Sequence, residues 1–475
     1  MIDLRDSVVI LGAGMTGAFA AKKLLEANFN VVMIDAGYLQ DDKIIYDNKK
    51  INAPSYKFKI ESNEFVYKNF TSKLKVKTKN FNAVGSLATG GLSNIWGGGL
   101  SKFAEHEYHS NSSDHAEIDK IYEEVQSEMQ LEIKNDKVSE TNQIFDKRLK
   151  KLFGKRRNNI SFSPPINAFN EKNIDDKKNY NHGIFNANTL INKLKENKRF
   201  EVISNSFINK LSKNESDYVL KTSNKLSGEE EKYLLKNVFC CLGVISTTKL
   251  ILEMEEVFNV PIPLKTTPMG YFLIFTSKKR QNNTKFGLSG LSYSANDHHN
   301  LISGGVFPCN SEILSYYKVF NFLPKFLKYL IDKIVLQRIF LGNVFFSSSM
   351  GSNQIKVLKN GKILINGKNH QDLKKNFKKL KKSLNVSLRE FNMRILPGIG
   401  KLATPGSDVH YSGTLPIDEK NFSRLKCDNS GRLFGHENLY IADASLIKDL
   451  PGKPHTLHSV SQTILIVQKF ILNSI

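Results

Sequence analysis

Cysteine and tryptophan are scarce in this chain, and long apolar runs are missing altogether. Its 475 residues hold four cysteines and one tryptophan. No two cysteines form a Cys-x-x-Cys pair, which removes the common zinc and redox motifs, and Cys240, Cys241, Cys309 and Cys427 build no disulfide ladder. Cys240 and Cys241 are neighbours in an apparent strand and should point to opposite faces. Unpaired cysteines of this kind suit a reducing compartment. The first apolar run follows no basic segment and leads to no cleavage site, so a secretory leader is not expected. No 18-residue apolar stretch is present, so no transmembrane helix is expected. These absences point to a cytoplasmic protein, with contact at the inner face of a membrane as the alternative location.

Acidic residues are outnumbered: 68 Lys and Arg stand against 46 Asp and Glu, a formal charge of +22. The surplus lies in lysines spread over solvated faces, and no nucleic-acid-binding module is present, so no nucleic-acid partner is expected. His106, His109 and His115 lack the cysteines or spaced carboxylates that would complete a metal site, and read as solvated loop histidines; no metal is expected. At this length two structural domains are the natural expectation.

What is present begins with the stretch from Ser7 to Gly37. Val8 to Leu11 is a short β-branched run of the kind that forms a buried parallel strand. Gly12-Ala-Gly14-Met-Thr-Gly17 follows at once, and Ala18, Ala21, Leu24 and Leu25 recur at helical spacing. A second strand, Val31 to Ile34, ends in Asp35, at the expected distance of about 20 residues from the glycines. Gly12 permits the tight turn, Gly14 lets backbone approach a pyrophosphate, and Gly17 lets helix and strand pack closely. The helix N-terminus holds phosphates with unpaired N–H groups. Asp35 accepts from an adenosine ribose, which favours FAD or NAD over NADP; the motif does not separate those two. Met15 and Thr16 in the first helical turn and Ala36 beside the acid complete this set.

Four further stretches carry chemistry. Gly90-Gly91-Leu-Ser93-Asn94-Ile95-Trp96 places glycines around the only tryptophan, as backbone brought close to something large and flat. Val238 to Leu252 reads as a buried strand, a turn at Gly243 and a new helix. His410-Tyr-Ser-Gly-Thr414 precedes Asp428-x-x-Gly-Arg432-Leu-Phe-Gly435. Asn438-Leu-Tyr-Ile-Ala-Asp443-Ala444-Ser445 reads as a strand, and a helix begins near Thr456.

Together these stretches resemble the glucose–methanol–choline (GMC) oxidoreductases, and especially their pyranose-oxidase-like branch, over about half the chain. That branch carries Gly-Gly-x-Ser-x-x-Trp, matched here by Gly90, Gly91, Ser93 and Trp96. In several members a histidine two residues after the serine bonds the flavin; Ile95 stands here, which implies non-covalent FAD. The resemblance makes His410 the catalytic histidine. It sets Ile208 beside the adenine, Gly243 over the adenosine half, and Asp443 with Ala444 at the ribityl or pyrophosphate region. Asn or His fills a second catalytic position in the family, where this chain has Pro454. Pro offers no hydrogen-bond donor, so His455 is expected to supply it, next to the N–H groups at Thr456.

The implied fold class is α/β, with a discontinuous Rossmann-like FAD-binding domain (1–105, 186–264 and 400–475). An inserted α+β domain with an antiparallel sheet (106–185 and 265–399) would take the substrate. The implied reaction is oxidation of a primary or secondary alcohol, a sugar or glycan hydroxyl, with His as base and hydride passing to flavin. The electron acceptor is not specified by these motifs. A catalytically degenerate FAD-binding protein and an NAD-linked dehydrogenase are the alternatives. Outside the resemblance, 114–134 and 372–391 show helical periodicity, while 271–276, 286–293 and 344–349 look like strands. Residues 313–346 are aromatic and basic, a stretch that either docks on a membrane surface or packs on its own domain.

Overall fold

A computed structural model describes residues 1–37, 68–107, 112–130, 147–168, 184–224, 227–277, 279, 289–297, 300–309, 324–418, 420 and 423–474. Its centre is a five-stranded parallel sheet. The strands are β1 (Val8–Leu11), β2 (Val31–Ile34), β3 (Phe200–Ile203), β4 (Asn237–Cys240) and β5 (Leu439–Ile441), in the order β5-β4-β1-β2-β3. All of β1 and β2 is buried, as a strand covered on both faces requires. Helix α1 (Met15–Glu26) follows β1, and its small residues Gly17, Ala18, Ala20 and Ala21 sit in the interior. The C-terminal helix α6 (Thr456–Ser474) packs against α1, and α2 (Ser112–Gln130) packs against α6 in turn.

The second large sheet is antiparallel throughout. Strands Met393–Ile395, Met269–Thr276, Ile339–Phe345, Asn300–Pro308, Leu291–Asp297, Ile160–Ser163 and Arg156–Arg157 follow one another across it, with Lys401–Leu402 joined to Met269–Thr276. Helix α5 (Leu373–Arg389) covers it with Leu373, Phe377, Leu380, Leu384 and Leu388, and its lysines face outward, as the periodicity requires. Two smaller sheets of four strands each complete the architecture. The fold class is therefore the expected one, an α/β protein that joins a Rossmann-like parallel sheet to an antiparallel sheet.

Several local expectations are corrected. Helix α2, read as part of the inserted domain, buries Ile118, Ile121, Tyr122, Val125 and Met129 in the same core as the parallel sheet. Ile355, Val357, Ile363 and Ile365 belong to that core too, because their strands pair with Ile262–Leu264 and Val76–Lys79. The strand expected at 344–349 ends at Phe345 and is followed by a turn of 3₁₀ helix at Ser348–Met350. The strand expected at 286–293 starts at Leu291; residues 286–288 lie outside the described residues. Of 313–346, the part to 323 lies outside them as well. The rest is a short helix at Lys325–Leu330, a π-helical turn at Ile331–Val335, a 3₁₀ turn at Leu336–Arg338 and the strand Ile339–Phe345. No helix among the described residues is long and apolar enough to cross a membrane.

Candidate functional site

The ligand crevice of an open parallel sheet lies at the carboxyl ends of its strands. Here those ends open into one cavity of about 1170 Å³. Small-molecule sites usually fill about 300–1,000 Å³, so this one has room for a dinucleotide and a second small molecule together. Gly12, Gly14, Met15 and Thr16 enter from the end of β1, and Asp35 and Ala36 from β2. Gly243 enters from β4, and Asp443 and Ala444 from β5. Residues far apart in sequence thus reach one wall through strand order alone.

The glycines differ in how much room they leave on that wall. Gly12 has φ +106°, and a Cβ there would lie 2.6 Å from the Cys241 carbonyl oxygen, so the turn admits no side chain. Gly14 and Gly243 are the opposite case, since a Cβ on either would meet nothing within 4 Å. Both line the cavity with bare backbone. No side chain caps the start of α1, and its first turn holds no acid. Its free N–H groups therefore form an uncompensated anion site at the cavity wall. Backbone N–H groups placed in this way could hold a phosphate.

Asp35 does structural work as well. Its carboxylate accepts from the Ala13 N–H at 2.8 Å and the Gly37 N–H at 2.7 Å, tying the end of β2 to the glycine turn. Asp443 behaves similarly, accepting from the N–H groups of Gly243 (3.0 Å) and Ser445 (2.9 Å) and from the Thr247 hydroxyl. Burial raises its pKa, and these hydrogen bonds partly offset the rise.

The glycine–tryptophan loop closes over the same space. Gly91, Ser93 and Trp96 line the cavity, as does Ile208 opposite. The Ser93 hydroxyl is nonetheless turned into the protein, donating to the Gly90 carbonyl at 2.6 Å and accepting from the Ala187 N–H at 3.0 Å. Trp96 donates from Nε1 to the Phe185 carbonyl at 2.8 Å. Asn94 does not line the cavity. Its amide donates to the Thr89 carbonyl (2.9 Å) and the Gly91 carbonyl (3.0 Å) and accepts from Asn186 (2.8 Å), so it holds the loop in shape. Gly17 is likewise behind the wall, where a Cβ would come within 2.1 Å of the Gly12 carbonyl oxygen. His115 lies on α2, half-buried and paired with Glu105, and is not a loop residue. His106 is exposed, His109 lies outside the described residues, and no metal-holding cluster occurs among those described.

At the other end of the cavity His410 and His455 stand together, ring centroids 5.2 Å apart and edge to face. Forty-five residues of chain separate them in sequence. His410 packs against Phe345 with ring centroids 4.9 Å apart and the rings tilted, and its Nδ1 lies 2.6 Å from the Thr267 hydroxyl. The Nδ1 of His455 is buried without a partner among the described residues. Pro454 and Thr456 flank it on the cavity wall, and α6 begins there. Lys453 is neutralised by an ion pair with Glu107. Thr267, Asp408, Phe345 and Lys453 were not singled out in the sequence. Only Asp408 had a signal there, its place two residues before His410.

The histidines at this end are held neutral. Burial pushes His410 well below its ordinary pKa, and nearby His455 adds to the shift. Burial takes His455 down to about 4 and His458 to about 3. His458 accepts or shares a hydrogen bond with the Tyr122 hydroxyl at 2.6 Å, stacked on Phe103 at 4.3 Å. In the unfolded chain each histidine titrates near 6.5. Both are neutral in both states above that pH. As pH falls below it the unfolded chain binds protons that the folded chain refuses, so this contribution to stability is lost on the way to pH 4. Asp408, raised to about 7, titrates with the opposite sign, so the informative quantity is a difference between variants. His458→Asn keeps a partner for Tyr122. Its thermal midpoint should fall less between pH 6.5 and 4 than that of the wild type. Equal losses would mean that His458 is not held neutral.

The fold is similar to that of pyridoxine 4-oxidase from Mesorbium loti, with a TM-score of 0.64 over 98% of this chain and 99% of that one, at 13% sequence identity. No protein-family model and no curated protein matches the sequence.

Proposed function

We propose that this chain is an FAD-dependent alcohol oxidoreductase of the GMC type. One observation carries the reading: a backbone cradle for a pyrophosphate and a pair of neutral histidines share one cavity. The likeness in fold to pyridoxine 4-oxidase along nearly the whole of both chains supports it. FAD bound along the wall from Gly14 to Gly243 would supply the two-electron acceptor for the alcohol's C–H bond. Asp35 would take ribose hydroxyls, the N–H groups of α1 the phosphates, and the N-terminus of α6 the pole that becomes negative on reduction.

His410 would receive the hydroxyl proton at Nε2, its Nδ1 being held by Thr267. Low intrinsic basicity keeps the ring neutral and ready to accept at ordinary pH. His455 would place a hydrogen bond on the same oxygen, which gives its unpartnered Nδ1 or the opposite ring nitrogen a role. Pro454 lies on the same wall but brings no donor. The substrate end is lined by Ser292, Ser294, Ser303 and Asn343 together with the rings of Tyr293, Phe307 and Phe345. Such a wall suits a polar alcohol, a sugar or a hydroxymethylated heteroaromatic ring.

Visible spectroscopy of the purified protein tests this directly. Flavin bands should be present and should pass into the supernatant on acid precipitation, because Ile95 offers no covalent link. Anaerobic addition of simple sugars, glycan-derived alcohols or pyridoxine should bleach them with at least one compound. A colourless protein that does not take up FAD would overturn the proposal. Bound flavin that no alcohol bleaches would favour the degenerate alternative.

A further inference from the structure

The histidine at the substrate end is wired into the protein by a group outside the cofactor framework. Thr267 lies in the short link between strands Ile262–Leu264 and Met269–Thr276, wholly buried. Asp408 is 8% exposed, two residues before His410. One carboxylate oxygen, Oδ2, accepts three hydrogen bonds. They come from the Thr267 N–H at 2.9 Å, the Thr267 hydroxyl at 3.1 Å and the His410 N–H at 3.3 Å. The same Thr267 hydroxyl meets His410 Nδ1 at 2.6 Å.

Above about pH 7, where Asp408 is ionised, proton counting fixes the direction of this chain. A threonine hydroxyl has one proton to give and lone pairs to receive. An ionised Asp408 is acceptor only, and two amide N–H groups already point at its Oδ2. The Thr267 proton therefore goes to Asp408, and Oγ1 must receive the proton of His410 Nδ1. That leaves Nε2 as the ring nitrogen with the lone pair. It makes no hydrogen bond among the described residues, and the His410 side chain lines the cavity.

We propose that Asp408 and Thr267 form a relay that fixes the tautomer of His410, with the proton on Nδ1 and Nε2 open to the substrate hydroxyl. Thr267 is the bridge, and the Asp408 carboxylate is the buried counter-charge. When Nε2 takes the alcohol's proton, the ring becomes cationic while Nδ1–H stays on Thr267, and Asp408 balances the new charge through one hydroxyl. Burial is the largest cause of the low basicity of His410 and of the rise of Asp408, which stands at about 7 with the hydrogen bonds from Thr267 and His410 already lowering it; a proton gained at Nε2 would favour the carboxylate further. Both are positioning residues for His410, and the proposal rests on the reading of His410 as the base.

The tautomer can be read without turnover. Nitrogen NMR of FAD-loaded protein labelled with 15N-histidine, well above neutral pH, should show His410 protonated at Nδ1, its signals identified by their loss in His410→Gln. Thr267→Ser should keep that pattern. Thr267→Val should shift it to the Nε2–H form, the commoner one of a free side chain. Anaerobic flavin reduction by an alcohol that bleaches the wild type should slow about 10- to 100-fold in Thr267→Val, by analogy with the loss of the outer partner of a metal-ligating histidine, and recover in Thr267→Ser. If Thr267→Val does not hold flavin, Asp408→Asn carries the test. It keeps the acceptor for Thr267, so the Nδ1–H form should persist while reduction slows about 10-fold. A wild-type Nε2–H tautomer, or wild-type rates in Thr267→Val or Asp408→Asn, would overturn the relay. If His410→Gln is itself reduced at the wild-type rate, the base assignment fails instead; a slow His410→Gln beside a fast Thr267→Val removes the relay alone.

Discussion

His410→Gln should bind FAD like the wild type and reduce it about 10²- to 10⁴-fold more slowly with any alcohol that the wild type oxidises, the usual worth of a positioned general base. Glutamine has nearly the length of histidine and can hold a hydrogen bond to Thr267, so the wall keeps its shape. It cannot accept a proton at neutral pH. The cradle at Gly14 and Gly243 is formed by β1, α1 and β4, none of which depends on the His410 ring. Rapid-mixing absorbance under anaerobic conditions reads the reduction step apart from reoxidation by any acceptor. His410 and His455 are distinguished by their anchoring. Nδ1 of His410 is tied to Thr267, which commits Nε2, whereas Nδ1 of His455 has no partner among the described residues and that ring can serve as a hydrogen-bonding group. His455→Gln should therefore cost less than His410→Gln. The reverse order would transfer the base to His455.

How much of this was legible in the sequence follows from how local each feature is. Strand β1, the glycine turn, α1, β2 and Asp35 span 28 consecutive residues, and each part is set by neighbours within a few positions. Helix α5 was legible because its leucines recur on one face, and α6 because it starts just past Pro454. What an amphipathic helix packs against is a different matter. The buried stripe of α2 was visible, but nothing in it says that α6 is the partner. The direction of the Asn94 side chain was hidden for a similar reason. Beside Ser93 and Trp96 the residue looks like a ligand contact, yet the 3₁₀ turn at Gly91–Asn94 rotates its amide inward to Thr89 and Asn186. Thr267 could not have been found at all, since its hydrogen bonds cross 141 and 143 residues of chain.

Two glycines three residues apart should fail in different ways when each gains one methyl group. Gly17→Ala places a Cβ within 2.1 Å of the Gly12 carbonyl oxygen, a backbone atom that cannot swing aside. Either α1 lifts from β1 or the turn at Gly12 opens, and Gly12 is itself confined by the Cys241 carbonyl. The expected result is a protein with no bound flavin and a loss of stability of about 1–3 kcal/mol or more, the cost of overpacking a close contact. Gly14→Ala should leave the fold intact. Its φ of −86° suits any residue, and a Cβ meets nothing within 4 Å, so the apoprotein should gain about 0.4–1 kcal/mol from a stiffer unfolded chain. The open space that spares the fold is where the pyrophosphate must lie. The added methyl should therefore weaken FAD binding about 10- to 100-fold, as 1–3 kcal/mol of steric cost implies. Thermal unfolding of apoprotein and titration with FAD separate the two effects. Wild-type FAD affinity in Gly14→Ala would mean that the dinucleotide does not cross this turn, and the cofactor assignment would fall with it.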